Sequence, residues 1–237
     1  MTIKEVYQQL EPAHFLMDIN KEILPDSSDT MECIRRIWDF KQELFAARFH
    51  LAMSYKDFYE DLFEPDDPSL NFKMKFYKQF YLYDAVMWYN NCFDLMLQVL
   101  WFKDGAFKRL SKKGTQKFLY LTTENFEQVL CACTLDNLER VGIKQECLEK
   151  LKDFHNNHSY IRSLTNTLKH RKFLSNGNYL IYPTIFKIEN PDYDSDKTVT
   201  SVDLDDLQSR LFEFHRDIIA LAKEILLPIY KEHQMGE

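Results

Sequence analysis

The chain has 237 residues, 45% hydrophobic and 15% aromatic, which is enough to bury a sizeable core and lies within the range of one large domain. Only 5 Gly and 7 Pro are present, which argues against a many-turned β-sandwich and for helices. A formal charge of -7 argues against a protein that coats nucleic acid through its whole surface, and leaves room for a local basic groove.

The start, Met1-Thr2-Ile3-Lys4-Glu5, has no basic region followed by an apolar run, which predicts no signal peptide and a cytoplasmic protein. Residues 1–28 read as a short helix or an ordered N-terminal arm ending in the turn cluster Pro25-Asp26-Ser27-Ser28. From Asp29, with Glu32 three positions on as in a capping box, apolar residues recur at helical spacing and predict one helix of roughly 50 Å to Leu62. The prolines of Glu64-Pro65-Asp66-Asp67-Pro68 end it. A second long helix, from about Leu70 to Lys103, carries the densest aromatic run. Asp84, Asn90, Asn91, Asp94 and Gln98 make a membrane span implausible there, so the segment reads as the central helix of a bundle, packed on several sides.

After a basic connection from Lys103 to Gly114, a helix over about Thr122–Val141 is predicted to bury Phe126, Val129, Leu130, Cys133 and Leu138, with Gly142 as its stop. A shorter helix from about Lys144 to Phe154 precedes a polar break, His155-Asn156-Asn157-His158, and another runs from Ser159 to Arg171. Between 172 and 202 the pattern is irregular, and Ser175-Asn176-Gly177-Asn178 suggests a small hairpin. The last helix begins near Asp203 with an apolar seam from Leu204 to Ile225, and Pro228 is expected to kink or end it. The expected fold is all-α: a single-domain up-and-down helical bundle over 1–237, with two long N-terminal helices, a long C-terminal helix and a small irregular or hairpin insertion.

Cys33, Cys92, Cys131, Cys133 and Cys147 are odd in number, with no CxxC pair, and read as buried free thiols. Cys131 and Cys133 would point about 200° apart on a helix, away from any shared metal. Chemistry concentrates instead in Ser159–Arg171. At about 100° per residue, Ile161, Leu164 and Leu168 fall on one face, and Arg162, Thr165, Asn166, Lys169 and His170 gather on the other. Arg171 and Lys172 continue the positive charge. Arg and Lys hold phosphate, Asn orients a ligand, and His passes protons near neutral pH.

The run Asn166-Thr167-Leu168-Lys169-His170-Arg171 resembles the Asn-x-x-Lys-His-Arg signature of divergent bacterial members of the HEPN superfamily. The resemblance extends, as a pattern, to the helical bundle and to the aromatic helix with Trp88, Asn90, Asn91 and Asp94. It implies an all-α homodimer, often a metal-independent ribonuclease of toxin, defence or stress systems. Carried onto this chain, it makes Arg162, Asn166 and His170 the catalytic set and Lys169, Arg171 and Lys172 the RNA-binding set, with no metal or other cofactor. Arg162 or Lys169 would stabilise charge on the phosphate, and His170 would serve in acid-base transfer of the ribose 2′-hydroxyl proton. The position before Asn166, where the family Arg usually stands, holds Thr165, and Arg162 lies eight positions before His170. The alternative is a catalytically degenerate HEPN-like homodimer that binds a protein partner, RNA or a nucleotide without cutting it.

Among other polar positions, Asp84, Asn91 and Gln98 recur every seven residues, and Asn90 with Asp94 forms an i, i+4 pair. They read as hydrogen-bonded core or interface positions that could also line a polar cleft. His155 and His158 could lie near one another but lack a helix-borne acidic partner, and His14, His50, His215 and His233 show no constellation. A ferritin-like metal enzyme would need two Glu-x-x-His motifs, which the chain does not contain.

Overall fold

The computed structural model describes residues 2–16, 28–56, 64, 66–110, 121–171 and 202–234. Among these there are eight α-helices and no strand: α1 Ile3–Gln9, α2 Ser28–Met53, α3 Leu70–Phe102, α4 Phe126–Cys131, α5 Leu135–Arg140, α6 Gln145–Asn157, α7 Ser159–Arg171 and α8 Leu204–Gln234. The fold is an all-α helical bundle, as the periodicity predicts. The hairpin reading of Ser175–Asn178, like the rest of 172–201, falls outside the described residues. None of the helices among the described residues is long and apolar enough to cross a membrane.

The chain divides into two compact units. The first is made of Met1–Leu10, Ala46–Trp88 and Ser159–Phe214. The second comprises Glu11–Phe45, Tyr89–His158 and His215–Glu237, so α2, α3 and α8 contribute residues to both.

In the first unit, α1 starts on a capping box: the Thr2 side chain accepts from the Glu5 amide, and the Glu5 carboxylate accepts from the Thr2 amide. Its C-terminal end is held by Arg48 of α2, whose buried guanidinium donates to the carbonyls of Leu10 at 2.9 Å and Tyr7 at 3.4 Å. Those are the acceptors a helix end leaves unpaired. Gln208 of α8 does the same for α2, donating to the carbonyl and the hydroxyl of Ser54 at 3.0 and 2.9 Å. Helix α2 therefore stops at Met53 rather than running to Leu62. Ser54 turns its hydroxyl back onto the Leu51 carbonyl, and the amides of Tyr55 and Lys56 bond three residues back. Residues 57–63 lie outside the described residues.

In the second unit, α2 runs antiparallel to α3. The Cys33 thiol meets the Val99 carbonyl, Cys92 meets the Phe40 carbonyl, and Asn91 meets Glu43. Helix α8 runs parallel to α3, linked by Tyr89 to His215 and by Lys103 to Glu232. Here the central-helix reading of α3 holds: Tyr89, Cys92, Phe93, Met96, Val99, Trp101 and Phe102 are all buried. In the first unit the same helix leaves Phe76 and Phe80 exposed.

Other boundaries also differ from the sequence reading. Asp29 does not cap α2; it lies inside the first turn, buried, and pairs with Lys108. The helix expected over Thr122–Val141 is two short helices, because Thr134 takes extended backbone angles, accepts from the Asn137 amide at 3.2 Å and starts α5, while the Asn137 side chain donates to the Ala132 carbonyl. As a result Val129 and Leu138 are buried, but Phe126, Leu130 and Cys133 are only half-buried. Lastly, Pro228 does not end α8: it sits inside the helix, which continues to Gln234 with Ile229 and Tyr230 buried beyond it. Gly142, at φ 72°, ends α5 as expected, since that backbone region penalises a side chain. Helix α6 runs on to Asn157, so the polar break shrinks to His158.

Candidate functional site

Helix α7 forms over Ser159–Arg171, the predicted range, and begins directly after the turn at His158. Its first turn is fixed by Tyr160, whose ring lies 4.8 Å from the Arg210 guanidinium of α8. Ile161 and Leu164 are buried at 1% and 2% exposure and dock the helix in the first unit. Thr165 is buried with them at 1%, its hydroxyl turned onto the Ile161 carbonyl at 2.9 Å. The residue standing where the HEPN-like pattern carries Arg is thus a core residue, and its place on the polar face is corrected.

What remains on the outward face is Arg162, half-buried, with Asn166 and Lys169, both exposed. Their i, i+4, i+7 spacing stacks them one turn above another. His170 is the next step in the same row of the helix. The side chains of His170 and Arg171, and all of Lys172, lie outside the described residues.

A second constellation, which the sequence reading missed, lies where α2 and α3 meet in the first unit. The His50 ring stands between Tyr81, at 5.7 Å between centroids, and Trp88, at 6.5 Å, with the Phe49 ring edge-on at 5.6 Å. Its Nδ1 is 3.2 Å from the Asp84 carboxylate, without hydrogen-bond geometry, a contact that becomes an ion pair only when the imidazole is protonated. Burial lowers the His50 pKa from 6.5, and Asp84 pulls the other way with the smaller effect. No periodicity announces this pair, because its members are on different helices.

The second unit holds an open cleft of about 310 Å³ between α2 and α3, lined by Arg36, Asp39, Gln42, Glu43, Asn91, Asp94, Leu95 and Gln98. Two of the three residues of the seven-residue repeat, Asn91 and Gln98, do line a polar cleft, whereas Asp84 pairs with His50. Asn90 donates to Asp94 at 3.0 Å, the expected i, i+4 pair, and Asn91 donates to Glu43 at 3.3 Å. Burial raises the Glu43 carboxyl above its ordinary range against that hydrogen bond. Arg36 is held between Glu32 and Asp39, and its Nε, like Oε1 of Gln98, is buried with no hydrogen-bond partner among the described residues.

His158 does have an acidic partner, Asp217 of α8, at 3.1 Å, and His215 meets the Tyr89 hydroxyl at 3.0 Å. Of the thiols, Cys33 and Cys92 are buried as expected, Cys133 and Cys147 are half-buried, and Cys131 is exposed. Among the described residues no group of three or more His, Cys, Asp or Glu side chains is placed to hold a metal ion.

No family model, curated protein or solved structure matches the chain.

Proposed function

We propose that the chain is a HEPN-like, RNA-directed protein that acts as a metal-independent endoribonuclease in a homodimer, with α7 as its working face. The observation that supports this reading is the sorting of one helix. Ile161, Leu164 and Thr165 are buried, while Arg162, Asn166 and Lys169 remain on the opposite side, with His170 next in the row. From Ser159 to Lys172 the sequence contains four Arg and Lys and no acid, in a chain of net charge -7. Such a face suits a phosphodiester: Arg162 and Lys169 would hold the phosphate, Asn166 would orient it, and His170 would take the 2′-hydroxyl proton. Arg171 and Lys172 would extend the contact along the backbone.

The test is an RNA-cleavage assay on the purified protein in the presence of a chelator, beside His170→Ala, with oligomeric state recorded by light scattering. Cleavage by the parent and none by a variant of unchanged melting temperature is the expected result. Cleavage that survives the substitution removes His170 from the mechanism. The burial of Thr165 favours one second reading, a HEPN-like homodimer that binds a protein partner, RNA or a nucleotide without cutting it. A well-folded dimer that leaves RNA intact would decide for that one.

A further inference from the structure

In the first unit, three large apolar side chains among the described residues are exposed: Phe49, Phe76 and Phe80 at 44%, 44% and 45%. Single exposed apolar residues are ordinary, whereas contiguous ones mark a binding surface. Phe72, Phe76, Phe80, Asp84 and Trp88 are each four residues apart and therefore form one ridge along α3. The rings touch in sequence, Phe72 to Phe76 at 6.1 Å with planes 19° apart, and Phe76 to Phe80 at 4.6 Å edge to face. Beyond the rings the ridge continues through Asp84, whose carboxylate contacts His50, to Trp88.

Charge decides what such a ridge would take. From Leu70 to Tyr83 the helix contains three Lys and no acid. Lys73 falls about 100° to one side of Phe72 and Lys75 about 60° to the other side. Lys75 is exposed. Lys73 and Lys78 form ion pairs with Asp67 and Asp205, and surface pairs of this kind are weak enough for a phosphate to replace the carboxylate at little cost. A membrane would meet Asp84, 54% exposed, in line with the rings, whereas a nucleobase amino group finds in that carboxylate an acceptor.

We propose that the Phe72–Trp88 ridge of α3 is a track for single-stranded RNA, its bases stacking on Phe76 and Phe80 and its phosphates meeting Lys73 and Lys75. The proposal rests on the RNA-directed reading of α7 and adds the substrate class, since exposed rings serve unpaired bases, which a duplex hides.

The experiment is fluorescence anisotropy of a labelled oligouridine, alone and annealed to oligoadenosine, on the full chain. It is run with the pairs Phe76→Ala/Phe80→Ala, Phe76→Tyr/Phe80→Tyr and Arg162→Ala/Lys169→Ala. The alanine pair is expected to weaken single-strand binding by roughly tenfold per ring, the tyrosine pair to preserve it, and the duplex to bind less well than the single strand. If the alanine pair loses its fold by circular dichroism, Lys75→Glu takes its place, with binding again expected to fall. Parental affinity in the alanine pair together with loss in the α7 pair overturns the track and leaves the α7 reading standing. Loss in the alanine pair with parental affinity in the α7 pair does the reverse. No binding by the parent chain overturns both. An alanine pair that keeps RNA but loses capture by phosphatidylserine vesicles, or falls from dimer to monomer in light scattering, makes the ridge a membrane or self-association surface and overturns the track.

Discussion

His50 is held neutral by its surroundings: partial burial beside the rings of Tyr81 and Trp88 strips water from the imidazolium and disfavours it more than Asp84 favours it. Its folded pKa lies below 6.5, the value it regains on unfolding, so below pH 6.5 the unfolded chain binds more protons than the folded one. The His50 contribution to stability is therefore intact above 6.5 and is lost as pH falls through the folded pKa. In urea unfolding at pH 7 and pH 5, His50→Gln should lose less stability on acidification than the parent chain; equal losses would show that His50 does not carry this linkage. Composition could not reveal the site, because His50 and Asp84 are on different helices and only antiparallel packing brings them together. Thr165 was obscure for a related reason: helical periodicity puts it at the edge of the polar arc, and whether an edge residue is covered depends on the neighbouring helix. Arg162, Asn166 and Lys169, by contrast, were legible from spacing alone, since a short amphipathic helix has one choice of face to bury.

Helix types were readable along most of the chain, and helix ends were less so. The range of α7 and the start of α3 at Leu70 follow from cap and turn residues that stand next to them. The break between α4 and α5 has a local signal too, Thr134 followed by Asp136 in the first turn, but apolar periodicity across Phe126–Leu138 overrides it when read alone. Replacing Thr134 by Ala removes the acceptor of the Asn137 amide and should destabilise the chain by about 1 kcal/mol, seen as a lower urea midpoint with unchanged m-value. An unchanged midpoint would mean that the Asn137 side chain on the Ala132 carbonyl suffices to hold the turn. Pro228 shows the opposite case. Its missing amide costs one helical hydrogen bond, but the buried Ile229 and Tyr230 just beyond it keep the chain helical. Propensity alone could not weigh that burial.

At the level of the whole molecule, a net charge of -7 conceals two segments, Leu70–Tyr83 and Ser159–Lys172, that together carry seven Lys and Arg and no acid. Both lie within the stretches of the first unit. A protein of this charge repels RNA at long range, so any electrostatic affinity must come from phosphates met locally by these cations, with release of the counterions condensed on the RNA. Binding should therefore weaken steadily with salt, the logarithm of affinity falling by about 0.7 per phosphate contacted for each unit of log salt on a single strand. Stacking on Phe76 and Phe80 adds a part that salt leaves largely unchanged, so oligouridine should retain measurable binding at salt concentrations that abolish duplex binding. The comparison that separates the two parts is a salt titration of oligouridine binding to the parent chain, Lys169→Ala and Phe76→Ala/Phe80→Ala. The lysine variant should show a shallower slope. The phenylalanine variant should show the parental slope displaced to weaker binding. Affinity that does not change with salt would mean that neither segment meets phosphate, and would remove RNA from the reading of both.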